Sequence, residues 1–276
     1  MSEIRVDTIS EKTSANGVAI DSLAIKDGKI TNLMNATLSA ADLGAGLHIK
    51  TADTGASVDG NADELVIEGT RSGLSILSAN NDFGYILFGD DGSNNIGSIR
   101  YGHSANDLRI IVGGNEAMVI DATGAVTKPD QPAVLAISTA VQDDIATGIV
   151  KINLNTEIYD QNSDFNTGTY TFTAPVTGKY MVSGCITMND VDTAFQWIYM
   201  LFTTSNRIYY IDLIDPRIEM SADGIHSWTG SALVDMDAND TLHLATRSSA
   251  HGAAQNNIAA GSAGAPETYM SVYLAC

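Results

Sequence analysis

The side chains most readily recruited for chemistry are few and scattered. Five histidines, His48, His103, His226, His243 and His251, show no spacing that would gather two of them on one metal ion. Asp90 and Asp91 are adjacent carboxylates of the type a glycoside hydrolase uses. Gly92, Ser93 and Asn94 follow at once, and consecutive side chains rarely face one substrate, so this run reads as a turn. Asp235, Asp237, Asn239 and Asp240 place oxygen ligands as a calcium loop begins. The glycine expected next is missing and Thr246 stands where a bidentate glutamate belongs, so a hairpin turn is expected there ahead of calcium. No G-x-S-x-G elbow, phosphate loop, dinucleotide fingerprint or H-E-x-x-H motif occurs. No catalytic residue, metal ligand or cofactor site is therefore assigned, and the chain is not expected to be an enzyme. Cys185 and Cys276 are too few for a disulfide framework and read as reduced thiols. What remains is contact chemistry. Trp197, Tyr199, Tyr209, Tyr210 and Trp228 are the candidate contacts for a sugar or protein receptor. Alternating with Met200, Phe202, Ile208 and Ile211, the first four read foremost as two core strands. Trp228 reads foremost as core or subunit interface.

The elements that must position these residues are short strands. No aromatic residue precedes Phe83, and four (Phe83, Tyr85, Phe88, Tyr101) lie in 83–101. The others begin at Tyr159. Without aromatic bulk, residues 1–80 cannot build an independent globular core. Their apolar pairs, Val18/Ile20, Leu23/Ile25 and Leu65/Ile67, suit strands that three chains wound together would bury. A short helix is allowed over 34–43, with Asn35 or Ser39 as cap and Gly44 as stop. A heptad reading of Ile20, Leu23, Asp27, Ile30 and Met34 fails at Asp27. Residues 83–126 predict a β-meander, its strands separated by Asp90–Asn95, His103–Asp107 and Gly113–Asn115. Pro129 and Pro132 mark a boundary at 127–134. The remainder, 135–276, is long enough and aromatic enough for one sandwich of two sheets. Within it, the Ala/Gly/Ser/Asn-rich stretch 249–265 reads as a long flexible loop.

Three strings carry a resemblance. Asp160, Phe165, Phe172, Gly178 and Tyr180, with Gly230–Val234, Asn239–Leu244 and Tyr269–Leu274, are similar to the signature of the complement C-one-q and tumour-necrosis-factor-like jelly rolls. Leu154, Val182 and Gly184 stand where that family usually has aromatics. The resemblance implies a jelly-roll domain that trimerises about a threefold axis and binds proteins or glycans without catalysis. Residues 86–126, through Ile96–Ser104, Asn106–Ile110 and Ala117–Gly124, resemble the β-stem modules of phage tail fibres and tailspikes. Residues 4–10, 16–21 and 25–28 are similar to N-terminal stretches of fibre proteins from aquatic phages.

The expectation is thus an all-β homotrimer with a fibrous stem and a jelly-roll β-sandwich. It has an attachment segment at 1–45, a β-stem or meander at 46–126, a linker at 127–134 and a jelly-roll tip at 135–276. The resemblance implies a virion fibre protein, made in the host cytoplasm. Its partners would be its own copies, other virion proteins at the N-terminus, and a host-surface glycan or protein at the tip. A purely structural fibre without a receptor is the alternative, and a capsule polysaccharide depolymerase ranks below it. Calcium gathered by three carboxylates on the axis is a further allowance. The 33 acidic against 14 basic residues, net −19, repel phosphate backbones, so no nucleic acid is expected. No apolar run approaches the length of a membrane span, so membrane insertion is not expected.

Overall fold

The computed structural model describes residues 47–222, 224–249 and 256–276, with two short strands at 25–26 and 29–30. The attachment segment apart from those strands, and the helix expected at 34–43, lie outside the described residues. The chain divides into two compact units, 1–76 and 77–276.

In the first unit, β1 (Ile25–Lys26) pairs antiparallel with β2 (Lys29–Ile30). β3 (Leu47–Lys50) lies parallel to β4 (Leu65–Glu68), Leu47 opposite Leu65. The intervening loop is tied back to β4, because Thr54 donates its N–H and hydroxyl to Glu68 Oε1 at 2.7 and 3.0 Å.

The second unit begins with the meander. Its five strands are β5 (Phe83–Phe88), β6 (Gly97–Gly102), β7 (Asp107–Val112), β8 (Asn115–Ile120) and β9 (Val126–Thr127). They are hydrogen-bonded in sequence order. The turns follow from local chemistry. Asp90 Oδ1 accepts the N–H groups of Gly92 and Ser93, both at 2.8 Å, which makes the Asp90–Asp91 run the expected turn. Gly113 and Gly114 adopt φ of +59° and +84°, a region side chains avoid.

The jelly roll follows as two antiparallel sheets. One runs β12 (Thr156–Asp160), β10 (Ala133–Ile137), β21 (Tyr269–Leu274), β15 (Gly178–Val191), β18 (Gly224–Met236), with β20 (Asn257–Ile258) beside β15. The other runs β13 (Phe165–Asn166), β14 (Thr171–Thr173), β19 (Thr241–Ser248), β16 (Ile198–Thr204), β17 (Ile208–Ile214), with β11 (Gly148–Lys151) beside β19. A single turn of helix, α1 (Pro216–Glu219), is capped by Asp215. Alternation sends Val134, Tyr180, Val182, Trp228 and Val272 of one sheet inward against Phe172, Ile198, Met200, Phe202 and Leu244 of the other. Phe172 meets Tyr180 edge-on at 5.5 Å, and the Tyr180 hydroxyl donates to Val176 O at 2.7 Å. Gly184 explains one departure from the family signature. A Cβ there would stand 3.2 Å from both Met200 Cε and Phe202 Cε1, so the opposite sheet fills the space an aromatic would take.

One expectation changes. The stretch 249–265 is not one flexible loop, since its described part pairs with β15 through β20. There Asn256, Ile258 and Ala259 are buried, and Ile258 joins the hydrophobic core. The run Asp235–Asp240 is the hairpin between β18 and β19, with Asn239 at φ +72°. The carboxylates of Asp235 and Asp240 are engaged by protein donors. Asp235 takes Lys179 and Arg207, and Asp240 accepts from Asn206 and from the Asp237 N–H.

Candidate functional site

Three of the five aromatic candidates converge on one surface. In β16, Ile198, Met200 and Phe202 point inward, so Tyr199 faces out and Trp197 precedes it on the same side. The β16–β17 hairpin is held by Thr204, whose Oγ1 accepts the N–H of Arg207 at 3.0 Å while its own N–H donates to Arg207 O at 2.8 Å. A bulge at Met200/Leu201 resets the pairing so that Leu213 opposes Tyr199 and Tyr210 opposes Leu201. Tyr210, 49% exposed, then lies edge-on to Tyr199, centroids 5.0 Å apart, and Tyr199 lies 5.4 Å from Trp197.

Arg247, which motif reasoning missed, completes the cluster. It sits on β19 directly across from Tyr199. Its guanidinium lies over the Trp197 ring at 5.4 Å, and Nη1 donates to the Tyr210 hydroxyl at 2.6 Å. Ile149 of β11 flanks it, giving a row of Ile149, Arg247, Tyr199 and Leu213 across four strands. Lys151, two residues further on β11, donates to Thr169 O and Thr171 Oγ1 at 3.1 and 3.0 Å. Among the described residues neither Arg247 nor Lys151 forms an ion pair. His243 shares this sheet, and burial pushes its pKa down to about 4, with the Lys151 charge adding to the effect.

The other two candidates are placed elsewhere. Trp228 is 2% exposed in the core, its ring 4.6 Å from that of His226, and is closed to a ligand of the single chain. Tyr209 turns inward beside the core, and its hydroxyl accepts the Asp235 N–H at 3.3 Å. Of the thiols, Cys185 is buried, and desolvation raises its pKa above the ordinary value, which suppresses its thiolate. Cys276 is exposed.

Two further surfaces are defined by what they lack. On the meander, Ile86, Ile99, Ile110 and Met118 form one cross-strand row; Tyr101, Leu108, Ile120 and Val126 form the next. Phe88, Ile99 and Val126 of this face are 56%, 39% and 55% exposed. The charges sit on the reverse face. Arg109 binds Asp107 Oδ2 at 2.7 Å and Glu116 Oε1 at 2.5 Å, Arg100 binds Glu116 Oε1 at 2.8 Å, and both guanidiniums lie over Phe83. Those guanidiniums hold the two carboxyls below their ordinary pKa. On the jelly roll, the outer face of the β10–β21–β15–β18 sheet carries Ala133, Tyr273, Met181 and Leu233 in one row. Leu135, Ser271, Ser183 and Ser231 form the adjacent row. No charged side chain interrupts this face between the Lys179–Asp235 pair and the Thr187–Ser227 hydroxyl pair.

No family model matches the chain, and no curated protein matches it in sequence. Solved structures similar to it are jelly rolls. The globular domain of zebrafish complement 1qA is 12% identical, covering 53% of this chain and 98% of that one, TM-score 0.38. Eiger TNF from S. frugiperda is 12% identical over 53% of this chain and 94% of that one, TM-score 0.38. Murine APRIL is 9% identical over 52% of this chain and 99% of that one, TM-score 0.37.

Proposed function

We propose that this chain is a non-enzymatic, homotrimeric fibre protein of a virion. Its N-terminal segment attaches to the particle and its jelly-roll tip contacts a receptor on the host surface. The observation that carries the self-association is the uncharged apolar face of the meander, exposed in the single chain of a protein with net charge −19. Like-charged copies associate more readily where charge is absent, as it is among the described residues on this face and on the outer face of the β10–β21–β15–β18 sheet. Five strands spaced by about 4.8 Å, rising about 3.4 Å per residue, give a meander face on the order of 400 Å². Two such faces packed together reach roughly 800 Å², short of the roughly 1,200 Å² of a stable interface, so the outer face of the jelly-roll sheet is needed as well.

Receptor contact is supported by the Trp197, Tyr199, Tyr210 and Arg247 cluster, which projects from the sheet opposite the charge-free one. The virion setting is supported by the fibre-like strings at 86–126 and 4–28. The test introduces charge into the proposed interface. Ile99→Lys and Leu233→Lys replace exposed residues of the single chain, so a monomer should tolerate each within about 0.5 kcal/mol. Each is expected to lower the solution mass of the assembly while keeping the β-sheet circular dichroism signal. An unchanged mass for both would contradict the assignment of these faces.

A further inference from the structure

Resting on the reading that the tip contacts a cell-surface glycan, we infer that the outer face of the β11–β19–β16–β17 sheet binds a carboxylate-bearing sugar. The first argument is charge. The chain has 33 acidic and 14 basic residues, yet Arg247 and Lys151 share this face with no carboxylate partner among the described residues. Asp212 of neighbouring β17 forms no ion pair with either cation; its Oδ1 accepts the Leu213 N–H at 2.8 Å.

The second argument is donor availability. A guanidinium offers five N–H donors in a planar fork. Arg247 directs one to the Tyr210 hydroxyl at 2.6 Å, and its guanidinium carbon lies 5.4 Å from the Trp197 ring centroid. The hydroxyl and the ring hold the fork without neutralising it, so the remaining donors suit a carboxylate in bidentate geometry.

The third argument is shape. The three aromatics lie within 5.0 to 5.4 Å of their neighbours on the outside of a sheet, tilted by 55° and 80° to one another, so each ring offers its own face or edge within the reach of one or two sugar rings. The negative face of an aromatic ring attracts the weakly positive C–H face of a pyranose. A uronate or sialate carries its carboxylate on that same ring and so satisfies an aromatic ring and the fork together. An acidic peptide offers carboxylates on flexible side chains with no apolar face beside each one. A densely sulfated chain carries more charge per ring than a sugar with one carboxylate per ring, and so meets more of the repulsion of the −19 field.

Titration of the full-length protein tests this, read by tryptophan fluorescence. Trp228 is buried in the core, so a ligand on this face reports through Trp197. The probes are hexagalacturonate, its carboxyl-reduced neutral form, sialyllactose, and a glutamate hexapeptide. At least one acidic saccharide is expected to bind, with the neutral form and Arg247→Gln each weaker by about tenfold or more, the cost of a charge-assisted hydrogen bond. Trp197→Phe should abolish the signal, and Tyr210→Phe should weaken binding while leaving the arginine charge in place. Arg217→Gln, on the helical turn where Arg217 is paired with Asp215, should change nothing. Equal affinity for acidic and neutral sugars would overturn the anionic inference and leave the glycan-contact reading standing. Tighter binding of the peptide would overturn it in favour of an acidic protein partner. Binding of no saccharide would overturn the inference and the glycan reading together.

Discussion

A histidine that resists protonation until about pH 4 must be shielded, and His243 is shielded by burial and by Lys151 on the neighbouring strand. In the unfolded chain it titrates near 6.5. Between pH 6.5 and 4 the unfolded state therefore binds a proton that the folded state refuses, and folding weakens as pH falls through that window. Above pH 6.5 the group contributes nothing to the slope. The expected loss is about 1 to 3 kcal/mol on acidification to pH 4, read from urea midpoints, and His243→Gln should flatten that part of the profile. Residues of this kind are poorly legible in the sequence. His243 was one of five scattered histidines until its strand was placed. Arg247 belongs to no motif, and its meaning comes from standing opposite Tyr199. The aromatics divide for a similar reason. Tyr209 and Tyr210 must face opposite ways as neighbours in a strand, but which one faces out depends on the Met200/Leu201 bulge. Trp228 was ambiguous because both faces of β18 carry apolar residues. Val234 and Met236 point in, while Ile225 and Leu233 point out.

Among the elements, the meander was the most legible because each turn is written in side-chain chemistry. Asp90 accepting from Gly92 and Ser93, and Asp121 accepting from Thr123 and Ala125, are local devices readable from composition. The parallel pairing of β3 with β4 was not legible, because short-range patterns do not distinguish parallel from antiparallel partners. Nor was the packing of β20 against β15, because a small-residue run suits a close-packed edge as well as a loop. Two predictions belong at this scale. Gly102 faces Asp107 and Phe83, and a Cβ there would fall 2.6 Å from Asp107 Oδ1 and 2.8 Å from Phe83 Cε1. Gly102→Val is therefore expected to disrupt the arginine network and destabilise the meander by about 1 to 3 kcal/mol, measured as a lowered thermal midpoint. In the jelly roll, Phe172 is fully buried against Tyr180, and Phe172→Ala should cost about 3 to 5 kcal/mol in urea unfolding. A cost below 1 kcal/mol would mean that the two sheets do not meet there.

For the whole molecule, the division of surfaces is what the proposed function requires. Apolar, uncharged faces on the meander and on one jelly-roll sheet suit identical copies, and the aromatic and basic face on the other sheet suits a ligand. If three copies share an axis, three ligand faces point outward together, and avidity raises weak single-site binding by about 10² or more. The measurement that bears most directly on this account is the solution mass of the full-length chain by light scattering at physiological salt. The expected result is about three times 29.1 kDa, held on dilution to micromolar concentration. A stable mass of 29.1 kDa would contradict the account, leaving the meander's apolar face exposed to water and the fibre reading without its foundation.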